Sequence, residues 1–332
     1  MHENNPSAIL RTLLRNNTFT VTVILFLFCV IATIFSPYFL TPFNLQALMR
    51  DIAFIAMIAV GQSMLLLLGE LDLSVGAAAS LCGILTGLMM TKGGLPPGLA
   101  VLLGVIVGLA MGAINGIIIT KLKLNAMVAT IGMQGIFNGT TLVITKGKAV
   151  TNIPESIHFL GKGSLGTIIP NPFIISLAVV VIATMFVSKT RRGRYIYAIG
   201  NSKPAAEILG IKVDRIRILT FSIVGVLSSI AGILYVTRLG SAQGNIGTTW
   251  PMNSIAGSVI GGVLLTGGVG NPVGAYIGAA ILMVISNVIV LLGVNIYWQQ
   301  AVSGFVVVVA IALPSVFNII RENKRIKSID KT

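Results

Sequence analysis

The sequence predicts an all-α, polytopic membrane protein, built as a bundle of about ten transmembrane helices. Of its 332 residues, 55% are hydrophobic and only 10% are charged, and the mean hydropathy is +0.95. Soluble domains carry about 25% charged residues. Apolar runs of about 20 residues, the length that spans a bilayer, recur along the whole chain.

The candidate spans are separated by short polar or proline-containing segments. The first span follows Arg11 and Arg15 as a signal peptide would, but its length and the lack of a small-x-small site predict an uncleaved helix. Pro170 and Pro172 open the sixth span. The predicted spans cover residues 19–36, 45–68, 73–91, 98–120, 125–144, 172–188, 216–237, 251–266, 273–292 and 298–317.

The distribution of Lys and Arg predicts the orientation of the bundle. With a cytoplasmic N-terminus, 17 of the 23 basic residues fall in cytoplasmic segments or at their edges, as the positive-inside rule requires. They are Arg11, Arg15, Lys121, Lys123, eight from Lys189 to Arg217 and five from Arg321 to Lys331. We therefore expect residues 1–18, 189–215 and the tail 318–332 to be cytoplasmic, and the loop 145–171 to be external. No polar segment is long enough to bury a core of its own, so residues 1–332 form one transmembrane domain.

Glycines at helical spacing predict close packing between spans. Gly104, Gly108, Gly112 and Gly116 lie on one face of the fourth span, and Gly135 with Gly139 repeats this spacing in the fifth. Helices gain no hydrophobic energy by associating in lipid, so small residues that let backbones approach drive the contact. The interpretation is helix packing, without a ligand.

Several classes of function are disfavoured by the residues present. The basic residues lie between apolar runs without an aromatic-studded basic face, which argues against nucleic-acid binding. Cys29, Cys82, His2 and His158 do not form a metal-ligand pattern, and no nucleophile motif or phosphate-binding loop occurs. We therefore predict no catalytic residues, no metal and no cofactor, and no ATP site in this chain.

The stretch GELDLSVG, residues 69–76, carries acidic groups close to the membrane interior. Glu70, Asp72 and Ser74 are candidates for the translocation path, because ionisable groups near spans are often functional. The alternative is that Asp72 or Ser74 caps the third span. Four amides inside or beside apolar spans are further path candidates, with interhelical hydrogen bonding as their alternative role: Asn115, Asn125, Gln134 and Asn138.

A very short helix is predicted within the polar segment 189–215. Asn201 or Ser202 offers an N-cap, Pro204 suits the first turn, and Gly210 suits a left-handed C-terminal position. A helix of at most two turns does not hold by itself in water, so a partner has to order it. We expect Ala205 and Ala206 to form the face that this partner approaches, and the segment to bury nothing within its own chain.

Three stretches resemble the permease subunits of bacterial ABC sugar importers, the group for ribose, xylose, arabinose and galactose. They are GRYIYAIGNSKPAAEILGIKV, GELDLSVG and SIAGSVIGGVLLTGGVGNPVGAYIGA, and the resemblance covers about residues 19–317. Glu70 and Leu71 stand where many ribose-type members have Gly-Ile, so the resemblance does not select one sugar.

The resemblance implies an inverted-repeat permease in the bacterial inner membrane. It implies as partners an ABC ATPase, an extracellular or periplasmic sugar-binding protein, membrane lipid and a second permease copy, identical or related. The short helix would be the coupling helix that docks on the ATPase, formed by Pro204, Ala205, Ala206, Glu207, Gly210 and Ile211. The solute is a pentose or hexose, with a furanose autoinducer or a nucleoside-like solute as alternatives.

Two other functions remain as alternatives from the residues alone. An ion-coupled secondary transporter needs an intramembrane carboxylate or sodium site, which Glu70 and Asp72 supply poorly. A passive channel for a small polar solute is compatible with glycine-rich spans that lack rings of charge. Neither alternative accounts for the short helix.

Overall fold

The computed structural model describes residues 17–166 and 168–295, together with single positions between 298 and 312. The predicted tail 318–332 lies outside the described residues, as do most positions of the tail 1–18 and of the span 298–317. The described helices are α1 Asn17–Phe35, α2 Pro42–Leu67, α3 Val75–Thr91, α4 Pro97–Lys121, α5 Ala126–Thr145, α6 His158–Gly161, α7 Asn171–Lys189, α8 Arg191–Asn201, α9 Lys203–Ile208, α10 Val213–Leu239, α11 Trp250–Ile260 and α12 Pro272–Leu291.

Seven of these helices are long and apolar enough to cross a membrane, namely α1, α2, α4, α5, α7, α10 and α12. Helix α3 is apolar but has only 17 residues. The remaining structure between α5 and α7 is a 3-10 turn at Glu155–Ile157 and a hairpin of strands β1 Ser164–Leu165 and β2 Ile169–Pro170. The architecture is an all-α, polytopic bundle.

The predicted span 251–266 is wrong at its C-terminal end. Helix α11 has 11 residues and stops at Ile260, and residues 261–271 are not helical. Gly262, Gly267, Gly268 and Gly270 in this segment all have positive φ angles. Glycine adopts such angles freely, whereas an α-helix requires negative φ, so hydropathy alone overestimated the length of the helix.

Side chains and prolines define the helix starts. Thr41, Asn125 and Asn271 each accept a hydrogen bond from a backbone N–H in the first turn of α2, α5 and α12. Proline occupies one of the first two positions of α2, α4, α7, α9, α11 and α12. Its missing N–H costs nothing there, since these amides have no partner within the helix.

Helices α2 and α10 form the centre of the bundle. They pack against each other, α10 also packs on α3 and α4, and α2 also packs on α7, α11 and α12. Glu70, just beyond α2, pairs with Arg217 at the start of α10, and Asp51 in α2 pairs with Arg238 near the end of α10. The two helices are therefore antiparallel, with one ion pair near each end. We call the end with Arg217 the basic end, because the segment 189–217 lies there.

The glycine face of α4 lies directly against α10. A Cβ atom on Gly116 would lie 2.8 Å from Ile218 Cα, and one on Gly108 would lie 2.6 Å from the carbonyl oxygen of Gly225. Gly257 of α11 faces α12 in the same way, 2.8 Å from Ala279 Cα. Gly135 and Gly139 of α5 differ, because nothing lies within 4 Å of a Cβ at either position. Their face is open within the described part of the chain.

Candidate functional site

The stretch GELDLSVG connects α2 to α3 and buries a carboxylate. The chain turns at Gly69, where φ is +78°, and runs non-helically to Ser74. Asp72 is only 3% exposed, and its Oδ1 accepts hydrogen bonds from Ser74 N at 2.7 Å and from Ser74 Oγ at 2.6 Å. Ser74 occupies the N-cap position of α3, but its side chain makes no capping hydrogen bond.

Asn115 of α4 completes this cluster. Its Nδ2 donates to Asp72 Oδ2 at 3.2 Å and to Ser74 Oγ at 2.8 Å, and the neighbouring Leu73 N donates to Thr130 Oγ1 of α5. The cluster therefore ties the α2–α3 connection to α4 and α5. A buried carboxylate is tolerated only when it is hydrogen-bonded, and these donors satisfy both of its oxygens.

Three of the seven path candidates thus come together and form hydrogen bonds with one another. Asp72, Ser74 and Asn115 are all buried, and none of them lines the cavity beside α9 or the large cavity at the opposite end of the bundle, both described below. The Oδ1 atom of Asn115 has no hydrogen-bond partner among the described residues.

Glu70 is separate from this cluster because it forms an ion pair. Its Oε1 accepts a hydrogen bond from Arg217 Nε at 2.5 Å, and the Nη2 atom of Arg217 lies at the same distance. Burial raises the pKa of the Glu70 carboxyl above its usual value, and the positive charge of Arg217 opposes this shift. Arg217 is 147 positions away in the sequence, so no local sequence pattern predicts this pair.

The three path candidates at α5 have different environments. Asn125 is the N-cap, and its Oδ1 accepts from Met127 N and Val128 N, so its role is structural. Gln134 is half-buried and Asn138 is exposed, on the same side of the helix as Gly135. The side chains of Gln134 and Asn138 make no hydrogen bond within the described ranges.

The basic segment contains an amphipathic helix, α8, that the sequence analysis did not anticipate. It buries Gly193, Ile196 and Ile199, and its three arginines are exposed on the surface of the chain. A Cβ on Gly200 would lie 2.6 Å from Gly268 N and 3.0 Å from the carbonyl carbon of Leu67, so α8 contacts the end of α2 directly. The buried residues recur every three positions, and this spacing was the missed signal.

The predicted short helix is present as α9, with the predicted caps. Ser202 Oγ accepts from Ala205 N at 3.4 Å, Pro204 lies in the first turn, and Gly210 has φ +77°. The expectation that this segment buries nothing within its own chain is wrong for Ala206, which is 2% exposed. The backbone of Ala206 also accepts a hydrogen bond from Ile211 N.

Two large apolar residues at the end of α9 are exposed, and the sequence analysis selected neither of them. Ile208 is 86% exposed and Leu209 is 77% exposed, and both lie at the C-terminal end of α9. Ala205 and Glu207 are exposed as well. Beside them is a cavity of about 450 Å³ whose charged lining residues are Lys121, Glu207, Lys212, Asp214 and Arg215.

Comparisons with known proteins all find similarity to permease components of transport systems. The sequence profile of the family described as branched-chain amino acid transport system / permease component matches residues 44–311. The chain is 40% identical to the ribose import permease protein of Bacillus subtilis (strain 168), over 87% of this chain and 90% of that protein. It is 36% identical to the ribose import permease protein of Escherichia coli (strain K12), over 88% and 91%.

A third relative has a different named cargo. The chain is 35% identical to the autoinducer 2 import system permease protein of Yersinia enterocolitica, over 85% of this chain and 78% of that protein. No solved structure matches the chain significantly. Since the family profile covers most of the sequence and the relatives match over most of their own lengths, the chain belongs to this family of import-system permease components, multi-pass proteins of the bacterial inner membrane.

Proposed function

We propose that the chain is the transmembrane permease subunit of an ATP-driven importer and forms the translocation path for a monosaccharide. The similarity to ribose import permeases over most of both chains carries the proposal. A separate ATPase subunit supplies the energy, this chain hydrolyses no ATP, and a binding protein outside the membrane delivers the solute. Because another relative imports autoinducer 2, we assign a class of solute rather than one sugar.

The acidic groups of the described residues argue against ion-coupled transport. Glu70 and Asp51 are each paired with an arginine, and Asp72 is held by Ser74 and Asn115. A proton- or sodium-coupled carrier needs an intramembrane carboxylate that can exchange its ion. The three carboxylates named here are instead ion-paired or hydrogen-bonded within the chain.

The basic end faces the cytoplasm in this proposal. The basic residues of 189–217 support this orientation through the positive-inside rule. The opposite end, which carries the loop 145–171, then faces the binding protein.

The ATPase docks on α9 and the turn that follows it. Two large apolar side chains, Ile208 and Leu209, are 86% and 77% exposed outside the spanning helices, and burying them against a partner protein is favourable. Ala205 and Glu207 border the patch. Of the other predicted coupling residues, Pro204 lies in the first turn of α9, Ala206 is buried, and Gly210 allows the turn that leads to Ile211.

The two halves of the bundle are related as an inverted repeat of about five helices each. The pattern of helix contacts supports this: α2 packs on α11 and α12, and correspondingly α10 packs on α3 and α4. In both halves a glycine-rich face mediates the contact with a partner helix. The tenth helix of the repeat would fall in residues 298–317.

A second permease copy covers the open face of α5. Gly132, Gly135 and Gly139 have no neighbour within 4 Å of a Cβ, and Asn138 on the same side is an exposed amide. Small residues favour helix association in lipid, whereas an amide facing hydrocarbon is costly. Gln134 and Asn138 then line the translocation path between the copies.

The test of the function is ATP-dependent uptake and co-purification of the ATPase. Ile208→Ser with Leu209→Ser should abolish both uptake and co-purification without lowering the membrane yield, since neither side chain is buried in its own chain. Leu122→Ser is the matched control, because Leu122 is 64% exposed at the same end but outside α9. Normal co-purification and uptake in the double variant would refute the docking of the ATPase on α9.

A further inference from the structure

A large cavity lies at the end of the bundle opposite the basic segment. Its volume is about 1120 Å³, and it is bounded by α2, α10, α11 and α12. Binding cavities combine apolar walls with a few convergent polar groups, and this one contains both.

One wall of the cavity is aromatic. Phe54, Tyr235 and Trp250 come from three different helices, with ring centroids 5.1 to 6.3 Å apart. The Phe54 and Trp250 rings are nearly parallel, at 6°, and Tyr235 meets both edge-on. These contacts fix the orientation of the three rings, so the wall is preformed.

Helices α10, α11 and α12 place four polar side chains on the lining that have no hydrogen-bond partner within the described residues. They are Tyr235, Trp250, Asn253 and Ser286, which carry a phenolic hydroxyl, an indole N–H, an amide and an alcohol. A polar group at membrane depth that lacks a partner costs free energy, so these groups require water or a polar solute. They offer both donors and acceptors, as a hydroxyl-bearing ligand needs.

The charge of the cavity favours a neutral ligand. Asp51 is the acidic residue of the lining, and Arg238 neutralises it through a contact of 2.5 Å. Asn44 and Asn287 satisfy each other by reciprocal amide hydrogen bonds of 3.0 and 2.8 Å. The cavity therefore offers neutral hydrogen-bonding groups and an aromatic surface, without net charge.

We propose that this cavity binds one neutral monosaccharide within a single permease copy. The C–H face of the sugar ring lies against Tyr235 and the accessible part of Trp250, while the buried Phe54 ring holds both in place. The hydroxyls of the sugar bond to the four polar side chains. The inference rests on the proposed function in assigning a sugar importer, and it adds a site inside the chain that is distinct from the α5 face between two copies.

Tryptophan fluorescence gives a direct test. The chain has two tryptophans, Trp250 and Trp298, and Trp298 is exposed. Trp298→Phe therefore leaves Trp250 as the single reporter. The purified full chain in detergent is titrated with D-ribose, L-arabinose, D-xylose, D-glucose and D-galactose, and with ribose 5-phosphate as a charged control. At least one neutral sugar should give a saturable signal, and the phosphate should not.

A pair of tyrosine variants in this background tests the geometry. Tyr235→Phe removes one unpaired hydroxyl and should weaken binding by roughly three- to tenfold, the effect of one hydrogen bond. Tyr195→Phe, at the basic end, should leave the affinity unchanged. No saturable signal with any of the five neutral sugars, or equal affinities for the two tyrosine variants, would overturn the proposal.

The same preparation separates this outcome from the proposed function. Co-purification of the ATPase with the Trp298→Phe chain reports the importer assembly and is independent of the cavity. Assembly without sugar binding removes the cavity site alone. Failure of assembly together with a saturable sugar signal retains the cavity site and contradicts the docking on α9.

Discussion

The contact between α4 and α10 can be tested by adding a single methyl group to one glycine of α4. A Cβ on Gly112 would lie 2.9 Å from the carbonyl carbon of Phe221 and 3.0 Å from Ser222 Cα, and closer still to the carbonyl oxygen of Phe221. Those atoms belong to the backbone and cannot rotate away. Gly112→Ala therefore forces the helices apart, and Gly112→Leu does so further.

The expected cost is that of overpacking, about 1–3 kcal/mol for alanine. The melting midpoint of the purified chain should fall by at least about 2 °C, given the usual relation between free energy and midpoint. Gly98→Ala is the matched control, because Gly98 lies in the same helix, nothing lies within 4 Å of a Cβ there, and alanine favours the helix by about 1 kcal/mol over glycine. Equal midpoints for the two variants would refute the argument that α4 touches α10 through glycine backbones.

Two further predictions concern the buried cluster and the orientation. Asn115→Leu should lower the melting midpoint because it removes donors to Asp72 and Ser74, a loss of about 1–3 kcal/mol. Asp72→Asn should cost less, because it removes the buried charge and keeps an acceptor for Ser74. Similar midpoints for Asn115→Leu and wild type would contradict the structural role of Asn115. In a background lacking Cys29 and Cys82 and in cells without the ATPase, an impermeant thiol reagent added outside should label Ser164→Cys and not Ala205→Cys. Labelling of Ala205→Cys from outside would reverse the orientation.

Helix positions were predictable from the sequence because they depend on local patterns. The apolar runs near α2 and α10, the glycine spacing of α4 and the caps of α9 at Ser202 and Gly210 all lie within one segment each. The predicted C-terminal end of the span 251–266 was wrong, because hydropathy carries no information on the backbone angles of the glycine-rich turn that follows α11.

Features that join distant segments could not be predicted in this way. Glu70 and Arg217 are far apart in sequence, and the aromatic wall draws its rings from three helices. The inward direction of Ala206 was missed for a different reason. A six-residue helix has fewer than two turns, so it offers no repeated spacing from which its buried face can be read.

The contacts also join the central helices of the molecule into one body. Helices α2 and α10 are joined by ion pairs near both ends, and α8 touches the end of α2 through Gly200. Sliding α2 along α10 would break both ion pairs, and it is costly above all for the largely buried pair of Glu70 and Arg217. The open face of α5 lacks such contacts. In the proposed importer, a push on α9 therefore reaches α2 and α10 as one body, and the path opens where the second copy meets α5.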